Sequence, residues 1–253
     1  MREKGDMAYR IESFKRFTGS MPGNSTYEVR DLRQLWVFCR GDRDQLARLA
    51  SYTPFEPRSD VFVLGVADFS SGPGWFDASL VLPVTFRGEV GGSYFFEYED
   101  QHDSVAMGRE AWGYPKALAR VEWQEDAHGI STRVYDYDTD VFSIEVDFDS
   151  TVDDSAWRHL AIYPQYQVRA VPQQAGSSFD SLDVLSRDPS RDWVAKDRLL
   201  GRAEVKIGRL DLTNGILDGE RLEVVEVLGA ELCIGDYYST AENGVPRKIA
   251  SLL

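Results

Sequence analysis

The stretch from Asp140 to Phe148 shows clear alternation, with Phe142, Ile144, Val146 and Phe148 apolar and Ser143, Glu145 and Asp147 polar between them. Successive side chains of a strand point to opposite faces, so a period of two buries one face only in β structure. The same grammar recurs. Leu35–Arg40, Val61–Phe69, Ala78–Phe86 and Ser93–Tyr98 are apolar or alternating runs bounded by Gly, Pro, Asp and Ser, the punctuation of strands. Tyr166–Val171, Ala203–Leu212 and Arg221–Ile234 continue the series. A chain with this many strand segments must pair them into a large sheet.

Helical signals are few. Asp42 is placed to cap a short helix over Arg43–Ala50, in which Leu46, Leu49 and Ala50 form an apolar stripe. A second helix is expected over Asp103–Trp112, capped by Asp103 or Ser104 and stopped by Gly113. Lys116 would then lead a strand over Leu118–Trp123. Ser177–Pro189 is polar and reads as a loop with a helical turn. The first ~25 residues are polar and punctuated by Gly and Pro, as in a terminal arm. No repeat and no long linker divides the chain, so one mainly β, β-rich α+β domain is expected over residues 1–253.

The formal charge of −14 argues against a nucleic-acid partner and against anionic membranes. Cys39 and Cys233 lie far apart, with no metal-binding spacing, and Cys39 sits in an apolar run as a reduced core thiol would. No stretch approaches a membrane span, and the N-terminus lacks the apolar core of a signal peptide. A cytoplasmic setting is the expectation. Asp136, Asp138 and Asp140 have the first spacings of a calcium loop, but Val141 stands where that loop needs glycine. No metal site is expected. His102, His128 and His159 stand alone, and no nucleophile elbow, P-loop or dinucleotide fingerprint is present.

The chemistry-bearing stretch is Gly108-Arg109-Glu110-Ala111-Trp112-Gly113-Tyr114-Pro115-Lys116-Ala117. A neutral lysine attacks a carbonyl to form a Schiff base, and burial favours the neutral amine. Proline stiffens the backbone just before Lys116. Gly-Arg-Glu, three residues, then Tyr-Pro-Lys resembles the signature of acetoacetate decarboxylase and its relatives, with Lys116 at the Schiff-base position. Leu82–Gly88, Val224–Ala230 and Gly235-Asp236 resemble the flanking strands of that family more weakly. The resemblance implies an antiparallel β-barrel-like fold, a covalent lysine Schiff base with a small keto substrate, no cofactor, and a homo-oligomer.

One departure is plain: the family carries a second lysine where this chain has Ala117. Desolvation alone would then have to lower the amine's pKa. Asp77 aligns with the family's pocket glutamate, and Glu97 interrupts Tyr94-Phe95-Phe96-Glu97-Tyr98 where the family tends to be apolar. Both are candidate acid/base groups; as a turn aspartate and an outward strand glutamate they would look the same. By alternation Glu97 shares a face with Phe95, opposite Tyr94, Phe96 and Tyr98. Arg33, then Arg30, are the candidates for the arginine that in the family reaches the pocket to hold a carboxylate. Tyr114 and Trp112 are expected to shape the pocket. Three functions remain open at this point. They are aldol, dehydration or cyclisation chemistry through a lysine enamine in a biosynthetic pathway, acetoacetate-type decarboxylation, and a non-catalytic binding barrel.

Overall fold

The computed structural model describes residues 26–150, 152–210 and 221–253. The expected N-terminal arm lies outside these residues. In chain order the elements are β1 (Glu28–Gly41), α1 (Arg43–Ala50), β2 (Glu56–Pro57), β3 (Val61–Asp68), β4 (Phe76–Phe86), β5 (Glu89–Glu99), α2 (His102–Glu110), β6 (Lys116–Leu118), β7 (Arg120–Glu125), β8 (Gly129–Asp136) and β9 (Thr139–Asp147). They continue with β10 (Gln165–Pro172), β11 (Phe179–Arg187), β12 (Trp193–Ile207), β13 (Val224–Tyr238) and β14 (Arg247–Ser251).

The 14 strands form one sheet in the order β14-β11-β10-β5-β4-β3-β1-β13-β12-β9-β8-β7, with β2 paired to β4 and β6 to β5. The pairing is antiparallel except where β5 meets β6 and β10, which makes a mixed sheet of the antiparallel one expected. One face of the sheet wraps a single core. Leu35 and Val37 of β1, Leu64 of β3, Leu80 and Leu82 of β4, Phe96 and Tyr98 of β5, Phe142 and Ile144 of β9 and Leu232 of β13 meet there, all nearly free of solvent. Each such leucine or phenylalanine contributes about 1.5–3 kcal/mol on burial. The opposite face, between β1 and β5, carries Trp36, Phe38, Val63 and Val81, covered by the segment around Trp157, whose ring stacks on Phe38 at 5.3 Å.

The α1 helix forms as expected: the Asp42 carboxylate accepts from the Gln45 amide at 2.7 Å. The second helix starts earlier and stops sooner than its sequence suggests. Its N-cap is Gln101, which makes no side-chain cap bond, and Ser104 is buried within it. Packing on the sheet, rather than a cap, sets its start. The strand expected over Leu118–Trp123 is split into β6 and β7, because the Ala119 amide turns to bond the Glu99 carbonyl.

The largest correction concerns Ser177–Pro189. Its centre is strand β11, inserted between β10 and β14. The polar residues that suggested a loop are satisfied by cross-strand partners: Asp183 pairs with Lys248 at 2.6 Å and with Arg169 at 3.3 Å. Asp140, of the near-calcium spacing, is the second residue of β9 and pairs with Arg133 at 2.5 Å, while Asp136 ends β8. No helix among the described residues is long and apolar enough to cross a membrane.

Candidate active site

The lysine signature is a packing device as well as a chemical one. Gly108 lies on α2 against the aliphatic stem of Lys116, and a Cβ there would overlap Cδ and Cε of that stem. The Arg109 guanidinium donates to the Lys116 carbonyl at 2.8 Å. Gly113 adopts φ +76°, a left-handed turn that glycine takes without strain. Helix, turn and strand thus fix both the backbone and the stem of Lys116, whose residue surface is only 6% exposed.

Parallel pairing of β6 with β5 sets Glu97 opposite Lys116, and antiparallel pairing of β4 with β5 sets Asp77 opposite Glu99 and Ser79 opposite Glu97. The Lys116 ammonium donates to Glu99 Oε1 and lies 3.2 Å from Glu97 Oε1. Oxygen atoms of Asp77, Glu97 and Glu99 all lie within 4.8 Å of one another. Such a trio has the donor chemistry of a metal site, but the cation contacting Glu97 and Glu99 here is the lysine.

These charges reverse the expected tuning. Burial presses the Lys116 amine toward neutrality, yet attraction to Glu97, Glu99 and Asp77 outweighs it and the pKa moves upward. Burial lifts the Asp77 carboxyl to about 6, opposed by Lys116 and aided by Glu99. Glu97 is raised well above the ordinary carboxylate range, again chiefly by burial. The missing second lysine is therefore only part of the change: acids surround the amine instead.

A β-bulge between Leu80 and Val81 of β4 and their partners on β5 makes this arrangement possible. Phe95, Phe96 and Tyr98 all turn into the core, while Tyr94, Glu97 and Glu99 line the cavity. Strict alternation had put Tyr94 with Phe96 and Glu97 with Phe95; the extra residue in the strand shifts that register. Glu99 was missed, although the Glu97-x-Glu99 spacing places both on one strand face.

The cavity holds about 370 Å³. Trp36, Trp112, Tyr94, Tyr114, Tyr163 and Tyr237 supply much of its wall. Tyr114 donates to Gln165 Oε1, and Gln165 Nε2 donates to the Tyr94 hydroxyl at 2.8 Å. Gln165 comes from β10 and carried no signal in the sequence.

Arg33 and Arg30 do not line this cavity. On β1 the cavity face is Leu32, Gln34 and Trp36, so Arg33 points the other way and pairs with Glu125. Arg30 precedes an irregularity at Asp31, where φ is +51°, and stays exposed beside Glu28 and Tyr238. The arginine in the cavity is Arg187, at the end of β11. Its guanidinium lies 4.7 Å from the Trp112 ring centre and 5.7 Å from that of Tyr114. Reading Ser177–Pro189 as a loop hid it.

The sequence profile of the family described as acetoacetate decarboxylase matches residues 16–247. The chain is 27% identical over 201 residues to the acetoacetate decarboxylase of Ralstonia nicotianae, covering 76% of this chain and 81% of that protein. It is 26% identical over 236 residues to acetoacetate decarboxylase 1 of Bradyrhizobium diazoefficiens, covering 87% and 90%. A solved acetoacetate decarboxylase superposes with a TM-score of 0.78 at 17% identity over 93% of both chains. The enduracididine biosynthesis enzyme MppR, in complex with the condensation product of pyruvate and imidazole 4-carboxaldehyde, superposes with a TM-score of 0.67 at 14% identity, over 92% of this chain and 91% of that one. Both neighbours share the fold.

Proposed function

This chain belongs to the acetoacetate decarboxylase family, and from that premise we propose that it is a cofactor-independent lyase in which Lys116 forms an iminium with a keto acid or ketone and passes it on as an enamine to aldol, dehydration or cyclisation chemistry. The observation that carries the reading is the buried Lys116 amine set among Glu97, Glu99 and Asp77 at the wall of an aromatic cavity.

The resting amine is an ammonium and must first lose a proton. Glu97 stands 3.2 Å away and has its proton affinity raised by burial, so it is the acceptor. The neutral nitrogen attacks the carbonyl carbon, the carbonyl π electrons move to oxygen, and that oxygen takes the proton back from Glu97. The nitrogen then gives up a second proton, which Glu97 carries to the hydroxyl, and the freed lone pair expels that oxygen as water. Both hydrogens of the water come from the original ammonium, and Glu97 ends ionised as it began. The iminium carries its positive charge beside Glu99, where the ammonium stood, so charge already in place stabilises it.

Asp77, with a pKa of about 6, is placed to remove a proton from the carbon next to the iminium. The C–H electrons become the enamine double bond and the iminium π electrons return to nitrogen. An enamine formed by loss of CO₂ needs no such base. Two buried carboxyl groups and the half-buried Asp77 beside the amine therefore favour proton abstraction. The curated relatives, called acetoacetate decarboxylases, favour the second reading, β-keto acid decarboxylation.

Incubation with pyruvate and borohydride, followed by peptide mass spectrometry, is expected to place a reduced adduct on Lys116. Absence of any adduct with pyruvate, acetoacetate or simple ketones would leave the non-catalytic binding barrel. Rapid CO₂ release from acetoacetate, abolished by Lys116→Ala, would make decarboxylation the activity. Gly108→Ala is expected to leave the circular dichroism unchanged and to lower trapping roughly tenfold or more, because the new methyl displaces the lysine stem. Unchanged trapping in that variant would show that the stem has room to move.

A further inference from the structure

We propose that Arg187 anchors a substrate carboxylate that is retained in the product, so that the true substrate is a keto acid rather than a neutral ketone or an acid that departs as CO₂. The inference rests on the imine chemistry at Lys116 and adds the class of substrate.

Arg187 is the cation of this cavity that lacks an acidic partner among the described residues. Among the described residues no acidic side chain forms an ion pair with its guanidinium, and its buried Nε has no hydrogen-bond partner. It rests instead on the faces of Trp112 and Tyr114. Aromatic faces hold a guanidinium in place but leave its planar fork of donors unused. An arginine remains charged in proteins, and a charge buried without a counter-ion is unfavourable. The nearby acids are engaged elsewhere: Glu97 and Glu99 contact Lys116, Asp192 accepts from Thr240 and Asn243, and Asp77, which feels the Arg187 charge, makes no ion pair with it among the described residues. A ligand carboxylate would complete the fork in bidentate fashion.

The two cations share one ring. The Lys116 ammonium lies 5.6 Å and the Arg187 guanidinium 5.7 Å from the centre of Tyr114. A keto acid with its carbonyl at Lys116 can therefore direct its carboxylate toward Arg187 across the same ring. The cluster of acids around Lys116 repels that carboxylate, which favours the Arg187 end further.

The role of the carboxylate follows from its charge. A carboxylate leaving as CO₂ surrenders its charge as the bond breaks. An ion pair with arginine would then stabilise the ground state more than the transition state and slow the step. The same pair is harmless when a proton leaves instead, because the carboxylate stays charged throughout.

The test compares half-saturating concentrations for borohydride trapping of pyruvate, 4-oxopentanoate and the neutral pentan-2-one at Lys116. In Arg187→Gln the values for both acids are expected to rise roughly tenfold to hundredfold, with pentan-2-one unchanged and Arg187→Lys intermediate for the acids. Unchanged trapping of the acids, or equal weakening of acids and neutral ketone in both variants, would overturn the proposal. If wild-type protein trapped none of the three, the imine reading itself would fall; if it trapped all three independently of Arg187, only the carboxylate anchor would.

Discussion

Lys116→Met is expected to abolish imine trapping completely and to destabilise the fold by about 3–5 kcal/mol at pH 8. The first effect follows from loss of the nucleophile. The second follows from the company the lysine keeps, because Glu97 and Glu99 would retain their buried positions and lose the cation that contacts both. Buried carboxylates without a cation hold protons more tightly than they do in the unfolded chain. Such groups favour the fold below their unfolded pKa and lose that contribution as pH rises. The stability deficit of the variant should therefore shrink between pH 8 and pH 5. Urea denaturation of both proteins at the two pH values reads it. A deficit that does not change with pH, or one that grows in acid, would show that the pair is not held in place by the lysine. Adding Glu99→Gln to Lys116→Met should recover part of the loss, since one uncompensated charge disappears.

The second large effect is expected on pH dependence. In Glu99→Gln the midpoint of the trapping curve at Lys116 should fall by about 1–3 units. The neighbouring acids raise the amine's pKa against the effect of burial. Removing one of them leaves more neutral amine at a given pH, so a curve that climbs with pH moves to lower pH. Glu97→Gln provides the contrast. Glu97 raises the amine's pKa too, so its replacement should also move the curve to lower pH, but because Glu97 is assigned the proton transfers the plateau of trapping should fall as well. Mass-spectrometric yields from pH 6 to 10 separate the two patterns. If Glu99→Gln instead lowered trapping at every pH, Glu99 would be the proton acceptor and the two roles would exchange.

Much of this protein is legible without coordinates, where the signal is local. The alternation from Phe142 to Phe148 is a strand because its period admits nothing else that buries one face. Asp42 caps α1 because its side chain and the Gln45 amide are three residues apart. The Gly-Arg-Glu…Tyr-Pro-Lys segment marks Lys116 because helix and strand there meet directly, Gly108 against the lysine stem and Arg109 on the lysine carbonyl.

The rest depends on long-range pairing. Whether Tyr94 or Phe96 faces the cavity is decided by a bulge against β4, and a one-residue offset moves every later side chain to the other face. The same parity excludes Arg33 and admits Gln34 and Trp36. Arg187 reaches the cavity because β11 is inserted between β10 and β14, where Arg169 and Lys248 neutralise the aspartate that made the segment look like a loop. The sequence by itself determined a β-rich fold and a lysine poised on a stiff turn, both consequences of short-range period and sterics. Only the tertiary structure decided the charge state of that lysine. Burial and Coulomb attraction oppose each other there, and the balance depends on acids that β4 and β5 bring together.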